Sequence, residues 1–147
     1  IKDIPEELRN DRYFVSEAVK RSWLTLQYVG DQFRADRAIV HEAVCQSWGQ
    51  ALEFAAHELQ ADWEFALEAV RLNGLALQHV AAELQTNRDF ILEAVRMNSM
   101  ALRYAAVGFR TDPCIVAEAH HSFNQLQLKL SEHKDTEEDQ ETDVETE

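Results

Sequence analysis

Proline and glycine are scarce in this chain, with 2 Pro and 4 Gly among 147 residues, and no stretch alternates apolar and polar residues long enough to make a strand. An all-α fold is therefore favoured over a mixed one. Cysteine is almost as rare. Cys45 and Cys114 stand far apart with no CxxC spacing, so a disulfide framework or a four-cysteine zinc site is not built here, and free thiols in a reducing compartment are expected. No run reaches the ~18 to 20 apolar residues of a membrane span, and no charged-then-apolar leader opens the chain, so it reads as soluble, cytoplasmic or inside an organelle. Positive charge is short as well. Fourteen basic residues face 27 acidic ones, which leaves no phosphate-neutralising surface and argues against nucleic-acid binding. Gly-rich phosphate loops, a nucleophile elbow and a Cys-His catalytic pattern are all missing, so the chain is not expected to be an enzyme or to carry a cofactor.

What the sequence does contain is a block of about 25 residues written several times over. An Asp or Asn recurs at Asp11, Asp36, Asp62, Asn87 and Asp112, and six residues after each stands a Glu-Ala pair, beginning at Glu17, Glu42, Glu68, Glu93 and Glu118. A fixed period of this size marks a repeat architecture, whose small units bury their apolar faces against one another. Within a block, Phe65, Ala66, Ala69 and Val70 gather on one side of a helix of about ten residues, helix A. The recurring Asp/Asn is its expected N-cap, and Pro113 after Asp112 fits a first helical position. Ser47-Trp48-Gly49, Asn73-Gly74 and Asn98-Ser99 supply its stop. The sequence then predicts a second helix, B, through Ala76, Leu77, Val80, Ala81 and Leu84, with Leu52 and Leu102 at the place of Leu77. The expected fold is thus an all-α, α-solenoid-like array of helix-turn-helix units.

The ends differ. Ile4, Glu7 and Leu8 align with Val80, Glu83 and Leu84, so residues 1–10 read as the end of a preceding repeat or an N-terminal cap, in a chain processed or partial at its start. Residues 11–130 form the array, with units starting near 11, 36, 62, 87 and 112. The fifth unit departs from the template at His120, where a Val is expected, as a polar terminal cap would. Residues 131–147 hold nine acidic residues against one Lys, a composition that predicts a disordered-type acidic tail.

The pattern Asp-x-x-aromatic, Glu-Ala-Val, Asn-Gly-Leu-Ala-Leu-Gln and Ala-Ala-Glu-Leu-Gln, clearest across residues 62–85, resembles the tandem repeat known as domain of unknown function 4116. The resemblance spans residues 4 to about 120. It implies the helical repeat, and it carries over no functional residue, because that family has no established activity.

Four groups of residues are candidates for function. His41 with Cys45 (i, i+4) and Glu118 with His121 (i, i+3) have ligand spacing, but neither completes a four-ligand set, so no metal is expected. The recurring Glu lies three or four residues before Lys20, Arg21, Arg71 or Arg96. Weak same-helix pairs, hydrogen bonds to a neighbouring unit's loop amides, or a carboxylate ladder for a basic ligand all fit it, with the amide bond the expected role. Tyr28, Phe54, His79 and Tyr104 hold one position in successive units, with Leu24, Leu75 and Met100 one turn earlier. This line either packs between repeats or forms a partner-binding ridge. Glu137, Glu138, Asp139 and Glu141 are the tail's candidates for holding a basic partner. The reading that results is a non-enzymatic interaction or scaffold module, for instance an accessory subunit of a larger multi-subunit complex with other protein chains as partners. An acidic chaperone-like protein acting through its tail, and a metal-binding helical protein, are the alternatives.

Overall fold

A computed structural model describes residues 5–141, with side chains to 131. Every described element is helical, and no strand occurs among these residues. The α-helices are α1 (Glu6–Arg9), α2 (Arg12–Arg21), α3 (Asp31–Arg34), α4 (Arg37–Gln46), α5 (His57–Gln60), α6 (Trp63–Leu72), α7 (Ala82–Gln85), α8 (Arg88–Met97), α9 (Val107–Arg110) and α10 (Pro113–Glu141). Four 3-10 segments, Trp23–Tyr28, Gln50–Phe54, Gly74–His79 and Ser99–Tyr104, follow α2, α4, α6 and α8.

Helix A is therefore α2, α4, α6 and α8, ten residues each, and all five expected caps form. The side chains of Asp11 and Asp62 each accept from the amide three residues on, Phe14 and Phe65, at 2.7 Å. Asp36, Asn87 and Asp112 each accept from two amides of the first turn. These bonds satisfy donors that no helical carbonyl can reach.

Helix B is not one helix. Each of the first four units runs instead from helix A through a 3-10 segment and two extended residues to a four-residue helix. Val80 and Ala81 sit at φ −72°, ψ 150° and φ −58°, ψ 146°. At two of the four breaks a bond forms across the unit boundary. The amides of Ala56 and Ala81 donate to the carbonyls of Arg34 and Gln60 in the preceding unit, at 2.8 and 3.0 Å. A continuous helix would turn those amides inward. The carbonyls freed at the break are satisfied by the side chains of Gln60 (to Leu52 O) and Gln85 (to Gln78 O and Val80 O). Apolar positions at i, i+1, i+4 and i+5 suit both forms, so the periodicity does not distinguish them.

Consecutive units lie directly against each other, α2 on α4, α4 on α6, α6 on α8 and α8 on α10. The core runs continuously through Val15, Val19, Ile39, Val40, Phe65, Val70, Phe90, Ile91, Val95 and Ile115. Leu26, Leu52 and Leu77 are fully buried between 3-10 segments, whereas Leu102 is half-buried, because the fifth unit makes no 3-10 segment to cover it. The units approach closely at Gly74, where an added Cβ would lie 2.5 Å from the amide nitrogen of Ala101. After Pro113 the chain continues as a single helix to Glu141, past the position at which the sequence begins the acidic tail.

Candidate functional site

Chemistry at the metal candidates fails on geometry. His41 Nε2 lies 3.1 Å from Glu68 Oε1 of the next unit, and Cys45 Sγ stands 3.9 and 3.8 Å from the two ring nitrogens of His41. A thiol equidistant from both nitrogens sits over the imidazole instead of pointing at one of them, so His41 is not placed to take its proton. Burial, with Glu68 and Glu42 nearby, also pushes the Cys45 thiol up from its ordinary range, which disfavours the thiolate. Glu118 and His121 do not converge either: Glu118 binds Arg96 at 3.1 Å, and His121 meets Gln125 at 3.1 Å. No three His, Cys, Asp or Glu side chains could hold a metal ion among the described residues.

The recurring glutamates bond to side chains, which corrects the expectation of loop amides. Glu17 pairs with Lys20 in its own helix, Glu42 accepts from Gln46, and Glu93 lies near Arg96. Glu68 and Glu118 reach back to His41 and Arg96 of the preceding unit. Amides near these carboxylates are already engaged within the helices, leaving side chains as the available donors.

A second polar ladder escaped the sequence reading, although its signal was present in the Arg that follows Asp11, Asp36 and Asn87. Arg12 binds Asp36, Arg37 binds Asp62 and Arg88 binds Asp112 at 2.9, 3.2 and 3.1 Å, so the first residue of α2, α4 and α8 grips the cap of the next helix A. Unit three breaks the pattern on both sides at once. Trp63 replaces Arg, the cap it faces is the neutral Asn87, and its ring meets Phe90 edge-on at 5.1 Å. An Asp there would lack its cation.

The aromatic line divides. Tyr28 is 40% exposed. Phe54 and Tyr104 are half-buried against the core, and Phe54 packs on Trp23 at 6.0 Å. His79 is half-buried too, and burial lowers its pKa against the opposing pull of Glu53. Leu24 and Met100 are exposed, while Leu75 is half-buried. The tail candidates Glu137, Glu138, Asp139 and Glu141 have side chains outside the described residues.

Two adjoining concavities lie elsewhere, along α4, α6, α8 and α10. One part, about 380 Å³, is lined by Arg37, Glu64, Leu67, Glu68, Arg71 and Met97. A second, about 640 Å³, shares Arg71 and Met97 and continues past Arg96, Met100, Phe123, Leu126 and Lys129. Met97, Met100, Phe123 and Leu126 are each about half exposed. They line it because α10 runs straight on beyond the end of α8 instead of turning back. That straight run was not legible in the sequence.

No described helix is long and apolar enough to cross a membrane. No curated protein and no solved structure matches the chain. The family model for a domain of unknown function, DUF4116, matches four overlapping segments, residues 1–34, 11–60, 36–85 and 62–110. These segments follow the same unit boundaries that the caps define, and the chain belongs to the DUF4116 family of tandem repeats.

Proposed function

We propose that the units form an α-solenoid that acts as a non-enzymatic interaction module, binding a segment of another protein along the outer side of its A helices. The single observation that carries this reading is that two neighbouring concavities share Arg71 and Met97 in their walls. An elongated apolar floor of Leu67, Met97, Met100, Phe123 and Leu126 suits an extended or helical segment better than a compact small molecule. Its rim sets Arg37, Arg71, Arg96 and Lys129 against Glu64, Glu68 and Glu118; Arg37 and Arg96 are engaged by Asp62 and Glu118, which leaves Arg71 and Lys129 as the cations a partner would meet. Charge complementarity therefore selects an acidic, apolar-patterned partner segment. Such a surface suits a scaffold or an accessory subunit of a larger complex.

A peptide library screened against the full chain tests the proposal. Retained peptides should combine Asp or Glu with spaced apolar residues. Their affinity should fall at least tenfold with Met97→Asp or Arg71→Glu, and weaken with salt as exposed charges are screened over ~10 Å at 0.1 M. Binding indifferent to both substitutions sinks it.

A further inference from the structure

Four junctions join a helix A to the 3-10 segment after it, and one of them carries an extra residue. Ser22, Asn73 and Asn98 each make the connection alone, in extended conformation at φ −158°, −155° and −152°. Between α4 and Gln50 the chain uses Ser47, Trp48 and Gly49, and the interval from Asp36 to Asp62 is 26 residues where the others are 25. In repeat register the added residue is Trp48, since Trp23, Gly49, Gly74 and Ser99 hold one position. Trp48 sits at φ 53°, the one non-glycine residue with positive φ among those described, and Gly49 follows at φ 86°. A bulky side chain is disfavoured in that region, and glycine is the usual residue at this place after a helix. The fold holds the turn in that shape. The Gly49 amide donates to the Val44 carbonyl at 2.9 Å, the buried Ser47 Oγ accepts from the Ala51 amide at 2.8 Å, and the Gln46 side chain donates to the Lys20 carbonyl at 3.0 Å. A Cβ on Gly49 would lie 2.8 Å from the Ala76 Cβ. The indole on this turn is 67% exposed, against 38% for Trp63. Nothing in the stack requires it, because three other junctions close without it. Backbone strain kept at an exposed aromatic residue marks a contact made outside the molecule, and an indole fixed on a rigid turn loses little freedom on binding.

The flanking chemistry indicates what the indole meets. Cys45, exposed and three residues before Trp48, holds on α4 the position that Arg71 holds on α6. Arg71 is exposed as well, makes no ion pair among the described residues, and its charge acts on the Cys45 thiol. It is also, with Met97, the residue that both outer concavities share. Cys45 thus stands between the groove wall at Arg71 and the Trp48 turn. We infer that Trp48 anchors the acidic, apolar-patterned partner segment proposed above for the outer groove: the segment continues past Arg71, and one of its apolar side chains packs on the indole. The inference rests on that reading of the groove. Arg71, between the two apolar contacts, takes a carboxylate of the segment.

The test selects a library of random peptides rich in Asp, Glu and Leu against the full chain and measures the retained peptides by fluorescence anisotropy. Trp48→Gly places in the turn the residue that its positive φ favours, so the fold is kept. It should weaken the retained peptides at least tenfold. At saturation they should shield tryptophan emission from iodide in the parent and not in Trp48→Gly. An alanine scan of a retained peptide should find one apolar residue whose loss weakens binding to the parent and leaves binding to Trp48→Gly unchanged. Peptides that respond to Met97→Asp and Arg71→Glu but bind the parent and Trp48→Gly alike, without shielding, overturn the inference and leave the groove reading standing. Peptides that respond to Trp48→Gly and ignore Met97→Asp overturn the groove reading and, with it, the shared segment.

Discussion

Replacing Gly74 by Ala adds one methyl group where two units approach closely. The new Cβ would stand 2.5 Å from the amide nitrogen of Ala101, 2.7 Å from the carbonyl carbon of Met100 and 3.0 Å from the Ala101 Cα. All three are backbone atoms of the next 3-10 segment, which is itself held by Leu102 and Ala105 in the core. Relief requires the two units to separate by roughly an ångström, and overpacking of this kind costs about 1–3 kcal/mol. Against it stands a gain of about 0.4–1 kcal/mol from the stiffer unfolded chain. The net expectation is a loss of about 1–2 kcal/mol, which for a chain of this size lowers Tm by about 3–6 °C. Gly108 is the matched control, since an added Cβ there meets nothing within 4 Å and the residue lies in α9. Gly108→Ala should stabilise by about 0.4–1 kcal/mol. Thermal and urea unfolding followed by far-UV circular dichroism would measure both. If Gly74→Ala is as stable as the parent, or the two substitutions shift stability in the same direction, close backbone contact between units is not what holds them together.

Three further expectations concern the polar ladders. Burial alone would raise the Asp36 carboxyl, but the Arg12 guanidinium and the amides of Ile39 and Ala38 hold it below its usual range. Its stabilising contribution is thus complete above the unfolded carboxylate pKa of ~4 and is lost as pH falls through the lower folded value. Asp36→Asn keeps the cap and loses the charge, so it should be less stable than the parent near neutral pH and equal to it in strong acid; a difference that persists in acid would contradict this. Trp63→Arg should cost about 0.5–1.5 kcal/mol through the lost contact with Phe90, and Asn87→Asp added to it should restore part of the loss by recreating the Arg–Asp rung, measured as a double-mutant cycle. Strictly additive effects would show that the two positions are not coupled. Cys45, exposed but raised by burial and by Glu68 and Glu42, should alkylate at neutral pH more slowly than an unperturbed thiol. Glu68→Gln should accelerate it, and an unchanged rate would argue against electrostatic control.

Much of this architecture is written locally. The Asp or Asn at each unit start determines a cap because a short side chain three residues from an orphan amide needs no tertiary partner. The i, i+1, i+4, i+5 spacing determines which face of helix A is buried, and Phe65, Ala66, Ala69 and Val70 are buried as that spacing requires. What only the tertiary structure decided are the choices between local alternatives of similar energy. Val80 and Ala81 are compatible with helix, yet both are extended, and the Ala81 amide bonds to the Gln60 carbonyl of the preceding unit. Glu68 and Glu118 could pair within their own helices, yet His41 and Arg96, brought close by the repeat, bind them instead. The outer groove depends on the direction α10 takes past the end of α8, which no residue of α10 specifies alone. A sequence records the pattern that each unit repeats; contacts between residues about 25 positions apart, formed only once two units meet, fix the rest.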